Sequence, residues 1–303
     1  MLKDQLQLHF IVFLWGFTAI LGVLIDIPST EVVILRTFIS ALALGGLLFF
    51  IRKSLSLPRR VIWKILGIGG IVGLHWTLFF AAAKISTVSV TLIGIATTSL
   101  FTAFIDPLIN RSKIKVVEIF LGSLVIIGLY VIFRFEYEHV IGLSIALVSA
   151  SFSALFSVLN SRMVKAYDSL AIAFYEMVGA CISTILLIPV FQLFITEAPL
   201  SVPTPSDWLY LGLLALGCTV FPFYRAIHLM KRISAFNINL AVNLEPIYGI
   251  ILAVFIFGER EKMSPAFYLG TGIILVSVLM YPMLNKKFSA YQIPLSLRKK
   301  KVV

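Results

Sequence analysis

Charge is scarce in this 303-residue chain, and negative charge is scarcest: 14 Asp and Glu stand against 25 Lys and Arg, 13% of residues in all. An ordinary soluble domain is about a quarter charged and about half apolar. Here 60% of positions are hydrophobic and the mean hydropathy is +1.03. So few charges could not cover that much apolar surface in water, which excludes a normal soluble domain. The two cysteines, Cys181 and Cys218, are too few for a disulfide framework and sit in apolar runs, where they read as small packing residues. No His/Cys spacing suits a metal, and no cofactor fingerprint is present. The sequence also lacks His-Glu-x-x-His, Gly-x-Ser-x-Gly and a Walker loop, so an enzyme is not the expectation.

What fills the chain is long apolar runs. Ten of them, at 8–25, 31–51, 62–83, 87–109, 114–133, 139–160, 168–195, 207–230, 234–257 and 264–285, approach the ~20 residues that span hydrocarbon. One basic residue precedes the first run and no small-x-small site follows it, so it reads as a retained span. The expected fold class is an all-α integral membrane protein of ten helices, with only short loops outside the bilayer.

The net charge of +11 is placed asymmetrically. With the N-terminus inside, the inner segments hold Lys3, Arg52, Lys53, Arg59, Arg60, Lys64, Arg111, Lys113, Lys115, Arg162, Lys165, Lys231 and Arg232. Lys286, Lys287, Arg298, Lys299, Lys300 and Lys301 follow in the tail, whereas the outer segments hold only Lys84, Arg134, Arg260 and Lys262. This bias predicts both termini in the cytoplasm of a cell-membrane protein. It is a topology signal whose expected partner is anionic lipid, not nucleic acid.

The two halves repeat. Trp63, Leu66 and Gly67 recur as Trp208, Leu211 and Gly212; Ile85-Ser86 recurs as Ile233-Ser234 and Leu121-Gly122 as Leu269-Gly270. Leu35-Arg36 lines up with Tyr175-Glu176, and a longer loop at 196–206 accounts for part of the drift between copies. The expected organisation is a five-helix repeat at 1–133, a second at 139–285 and a basic tail at 286–303. An odd number of spans per repeat inverts the second copy, the arrangement of carriers whose substrate sites lie at mid-membrane between the repeats.

Trp15-Gly16, Arg36, the run Asn243-Leu244-Glu245-Pro246, Gly258-Glu259 and Gly270 together resemble the EamA type of the drug/metabolite transporter superfamily. The resemblance implies ten helices around a central cavity lined mainly by spans one to four and six to nine. It also implies export of amino acids or other small metabolites. The first repeat departs from the pattern: Thr98 stands where Pro246 does and Asn110-Arg111 where Gly258-Glu259 do, with Asp106-Pro107 a displaced counterpart.

Ionisable groups inside spans are costly and therefore candidates for function. Glu245 lies midway along span nine, and Pro246 after it removes a helix hydrogen bond, so the pair reads as a gating or ion-coupling point; a plain interhelical hydrogen bond is the alternative. Arg36 and Glu176 hold corresponding places in the two repeats and can pair or guard opposite mouths, although Arg36 is near enough to the outer end to snorkel. Arg225, on one stripe with Phe221 and His228, can bind a carboxylate or phosphate, or pair with Glu245 or Glu176. His75 offers a proton relay or polar contact, and Trp76 and Tyr224 offer rings for a ligand or for packing.

Asn239 and Asn243 stand one turn apart, on a face different from that of Glu245. The small stripes Thr87, Thr91, Gly94, Thr98, Thr102 and Ser149, Ser153, Ser157, Asn160 read first as helix packing. Glu259 to Lys262 reads as a solvated, mutually paired turn. The expected function is a secondary-active or facilitative transporter of a small organic solute, with protons as the candidate coupling ion. A receptor, a channel or an intramembrane enzyme is the alternative. Both halves share one chain, so a monomer is expected.

Overall fold

The computed structural model describes residues 2–53, 55–111, 113–135, 137–194, 201–288 and 292–293. The tail residues Arg298, Lys299, Lys300 and Lys301 and residues 196–200 of the 196–206 loop lie outside the described residues. The helices are α1 (Leu2–Gly16), α2 (Thr18–Leu24), α3 (Ser29–Phe50), α4 (Arg59–Ile85), α5 (Val88–Ile95), α6 (Thr98–Asn110) and α7 (Val116–Phe135) in the first half. The second half holds α8 (Val140–Met163), α9 (Ser169–Phe194), α10 (Pro205–Gly212), a π-helical stretch Leu213–Val220, α11 (Phe221–Leu229), α12 (Ala235–Val242), α13 (Glu245–Phe257) and α14 (Pro265–Phe288).

Among the described residues nine segments are long and apolar enough to cross a membrane, and α14 adds the shorter apolar stretch Pro265–Ser277. The all-helical membrane class stands, with one small addition: Ile114 and Lys115 pair antiparallel with Ile293 and Gln292.

Three spans are interrupted near their middle. The first breaks at Phe17, the fourth at Ala96-Thr97 and the ninth at Asn243-Leu244. At the last of these, Pro246 has no N–H and its ring would crowd the Val242 carbonyl, so the chain tightens into short i→i+3 bonds, Asn243 N to Leu240 O and Leu244 N to Ala241 O. The π stretch ends just before Pro222, where the wider turn makes room for that ring. Starts are capped by neighbouring side chains: Thr87 accepts from Val90 N on α5 and Ser234 from Asn237 N on α12.

Close packing needs glycine at two crossings. A Cβ on Gly69 of α4 would overlap the Glu176 backbone of α9, and one on Gly179 of α9 would overlap the Leu66 backbone of α4. Where α7 meets α14, Cβ atoms on Gly128 and Gly270 would lie 2.8 and 2.7 Å from each other's carbonyl oxygen. Backbones without side chains between them gain the dispersion that lipid cannot replace.

Polar links sort the two ends of the bundle. At one end Lys53 meets Asp168 at 2.6 Å, Arg232 meets Asp4 at 3.4 Å and Tyr175 donates to Leu55 O at 3.0 Å. At the other, Asp26 N donates to Asp207 at 2.8 Å, Lys84 reaches the carbonyls of Ile25 and Ile27, and Glu31 accepts from Ser201 N at 3.0 Å. The turn Gly258–Glu261 departs from the expected solvated loop. Lys262 and Glu259 do pair in solvent, but Glu261 is 4% exposed and binds the start of α5.

Candidate functional site

A central cavity of about 80 Å³ lies between the two halves. The first half contributes Trp15, Thr18, Arg36, His75, Trp76, Phe79 and Ile95 to its wall, and α8 contributes Ser153, Phe156, Ser157 and Asn160. α11 adds Phe223, Ala226, Ile227 and Met230, and the broken ninth span adds Ile238, Asn239, Val242 and Glu245. Each of the three helix breaks has a lining residue beside it: Trp15 and Thr18 at the first, Ile95 at the second, Val242 and Glu245 at the third. Met230, Asn160 and Ile238 stand near the helix ends that carry Lys53, Asp168 and Arg232, so the cavity runs from mid-bundle toward the basic end.

Arg36 is 1% exposed and does not snorkel: it points into the bundle, because a partner and an aromatic face await it there. Its Nε donates to Thr219 Oγ1 at 2.6 Å, and its guanidinium carbon lies 3.9 Å from the centre of the Trp76 ring, a cation–π stack. Thr219 in turn donates to Leu214 O at 2.7 Å, five residues back, a bond the π winding makes possible. Glu245 lines the same cavity within electrostatic reach of Arg36.

His75 Nδ1 lies 3.0 Å from Ser149 O and 2.8 Å from Ser149 Oγ, while that hydroxyl donates to His75 O at 2.8 Å. A carbonyl can only accept, so Nδ1 carries the proton in this contact. Phe156 and Phe79 stand against the imidazole at 5.5 and 6.2 Å between ring centres. Asn239 donates to Thr102 Oγ1 at 2.8 Å and accepts from Ser157 Oγ at 3.2 Å, tying α12 to α6 and α8. The serine stripe of α8 is therefore cavity wall as well as packing.

The structure brings Arg36, His75, Trp76, Asn239 and Glu245 together and leaves the other sequence candidates behind or away from the wall. Asn243 is buried behind it and donates to Ser99 Oγ at 2.8 Å. Asn239 and Glu245, assigned to different faces by an unbroken helical count, meet at one cavity because the break at Asn243-Leu244 resets that count. Pro246 sits in the first turn of α13 and causes the break.

Glu176 is fully buried at the crossing with α4 and does not pair with Arg36; it accepts from Asn160 Nδ2 at 3.2 Å. Arg225 does not meet Glu245 or Glu176. Its Nη2 donates to Gln7 Oε1 at 2.6 Å, and Tyr224 beside it faces His228 at 6.1 Å, a group outside the cavity lining. Sequence reasoning missed Thr18, Thr219, Phe156 and Phe223 as site residues, and Trp15 served only as a family marker. Thr219 carries no local signal at all, since its role depends on a π turn. Among the described residues no group of three His, Cys, Asp or Glu could hold a metal.

Comparisons with known proteins agree with this architecture. The chain is 24% identical over 241 residues to an "Uncharacterized transporter" of Archaeoglobus fulgidus, covering 77% of this chain and 80% of that one. A solved crystal structure superposes with a TM-score of 0.66 at 18% identity, covering 94% of this chain and 98% of the other, which shows a shared fold. Residues 6–134 and, separately, 140–282 match the description "EamA-like transporter family". The chain is thus a multi-pass membrane transporter belonging to the EamA-like transporter family.

Proposed function

We propose that the protein moves a small organic solute, an amino acid or similar metabolite, by alternating access, and that it exports it. The observation that carries this reading is the cavity at mid-bundle, mainly apolar but holding Arg36, His75, Asn239 and Glu245, and walled by both halves and by interrupted helices. Two inverted repeats, 1–133 and 139–285, are the proposed moving parts. The separate family matches to each half and the reciprocal glycine contacts of α7 with α14 support them.

The basic end is proposed to face the cytoplasm, with both termini there and anionic lipid against it. Glu245 is the proposed proton-coupling group, since it is a carboxyl that faces the cavity and makes no ion pair among the described residues. Arg36, His75, Trp76 and Asn239 are the proposed solute contacts. Asn243, Pro246, Glu176, Tyr224 and Arg225 are proposed to act from behind the wall, on helix geometry. One chain supplies the whole cavity, so the working unit is proposed to be a monomer.

Proteoliposomes loaded with a mixed metabolite pool test the reading, with release followed by mass spectrometry in the presence and absence of a pH gradient. Saturable release of one solute class, absent from protein-free vesicles, is the expected result. No release under either condition would sink it.

A further inference from the structure

Arg36 holds a charge in the bundle interior with its hydrogen bonding incomplete. A guanidinium offers five N–H donors in one plane. Nε is taken by Thr219 and one face is covered by Trp76, but Nη1 has no partner. Among the described residues no carboxylate forms an ion pair with it, although Glu245 shares the cavity. A buried cation left this way is costly unless something completes it, and an in-plane fork suits a planar oxyanion.

The pose of that fork is set by the π turn. The Thr219 hydroxyl has one proton and gives it to Leu214 O, so its oxygen can only accept, and Arg36 Nε is the donor that meets it. Trp76 closes one face of the guanidinium to a ligand.

We propose that Arg36 is the recognition group for the transported solute, that the solute carries a carboxylate, and that Thr219 is the positioning residue that presents Arg36 to it. The inference rests on the transport reading above. It also moves the anion contact away from Arg225, which Gln7 already engages outside the cavity lining.

The test is exchange by the full-length protein in proteoliposomes of L-amino acids and hydroxy acids, each compared with its own carboxamide, which lacks only the carboxylate. The wild type is expected to favour acids over carboxamides by about ten- to a hundredfold in apparent affinity, the range for hydrogen bonds to a charged group. Arg36→Gln is expected to abolish the preference while carboxamide exchange continues, which also establishes that the variant is folded. Thr219→Val is expected to weaken the acids alone and Thr219→Ser to restore them, a pattern that a purely structural tie between α3 and the π stretch would not give.

Equal handling of acids and carboxamides by the wild type overturns the proposal and leaves the carrier reading standing. So does an unchanged preference in Arg36→Gln or in Thr219→Val. If Arg36→Gln does not fold, the valine and serine variants of Thr219 decide. If the wild type exchanges none of these compounds, the carrier reading falls and the proposal with it.

Discussion

Glu261 holds Ser89 twice: its Oε2 accepts from the Ser89 backbone N–H at 2.9 Å and from the Ser89 hydroxyl at 2.6 Å, while Oε1 accepts from Val88 N at 2.9 Å. A carboxylate from the turn before α14 therefore caps the start of α5, satisfying donors that the helix leaves open and meeting the positive end of its dipole. Glu261→Ala is expected to cost about 1.5–3 kcal/mol, the value of hydrogen bonds to a charged group. The measurement is thermal unfolding of the purified protein in detergent. Glu259→Ala, in the solvent-exposed pair with Lys262, is the control expected to leave the midpoint unchanged.

Glu245→Gln keeps the shape of the cavity wall and removes a titratable group. It is expected to leave exchange between two equal pools intact while abolishing acceleration by a pH gradient. A variant that keeps the wild-type rate and the wild-type pH dependence removes Glu245 from the coupling role.

Arg225→Gln separates the roles of the two arginines that lie within spans. Because Arg225 engages Gln7 and not the cavity, its loss is expected to leave the apparent affinity for solute within about twofold, while lowering stability by about 1 kcal/mol through the lost hydrogen bond. Counterflow affinity and melting temperature, measured on one preparation, check both halves of the expectation. A large fall in affinity for an acidic solute would return the anion site to Arg225.

Gly69→Ala probes the crossing of α4 with α9. The added methyl meets the Glu176 backbone, which cannot rotate away as a side chain could, so the helices must part. A loss of about 1–3 kcal/mol is expected, as for overpacking generally. Gly67→Ala, whose Cβ would meet nothing nearby, is expected to be neutral or slightly stabilising. Equal melting points for the two variants would contradict the packing.

Asp168 lies between spans, where the sign of a pH effect can be worked out. Burial pushes its carboxyl up, but the Lys53 hydrogen bond, with its charge and the N–H groups of Ala171 and Leu170, outweighs burial and holds it below the ordinary carboxylate value. A group depressed on folding contributes in full above its unfolded value of about 3.9 and loses that contribution as pH falls through the folded value. Asp168→Asn keeps a good helix cap and loses only the charge. The gap between wild type and variant in thermal unfolding is expected to be at most about 1 kcal/mol at neutral pH, since the pair is partly exposed, and to close in strong acid. A gap that widens in acid would contradict the sign.

The sequence by itself determined the solvent and the class. Hydropathy is a property of each local run, so the nine crossing segments overlap nine of the expected spans, and the apolar part of α14 covers only the first part of the tenth. The break before Glu245 was legible for the same reason, because Pro246 cannot donate and crowds its own turn whatever surrounds it. Only the tertiary structure decided partners. Arg36 could be seen as an intramembrane charge, but its bond to Thr219 depends on a π turn far along the chain, and its stack on Trp76 depends on how α3 meets α4.

Glu261 read as one of four charges in a solvated turn, and only packing against α5 buried it. The helical count set Asn239 against Glu245, and the interruption between them brought both to one wall. The physical reason is common to Arg36 and Glu261. Burial in a membrane obliges each polar group to find a donor or acceptor, but which one it finds is set by contacts between segments far apart in the chain, which local composition does not encode.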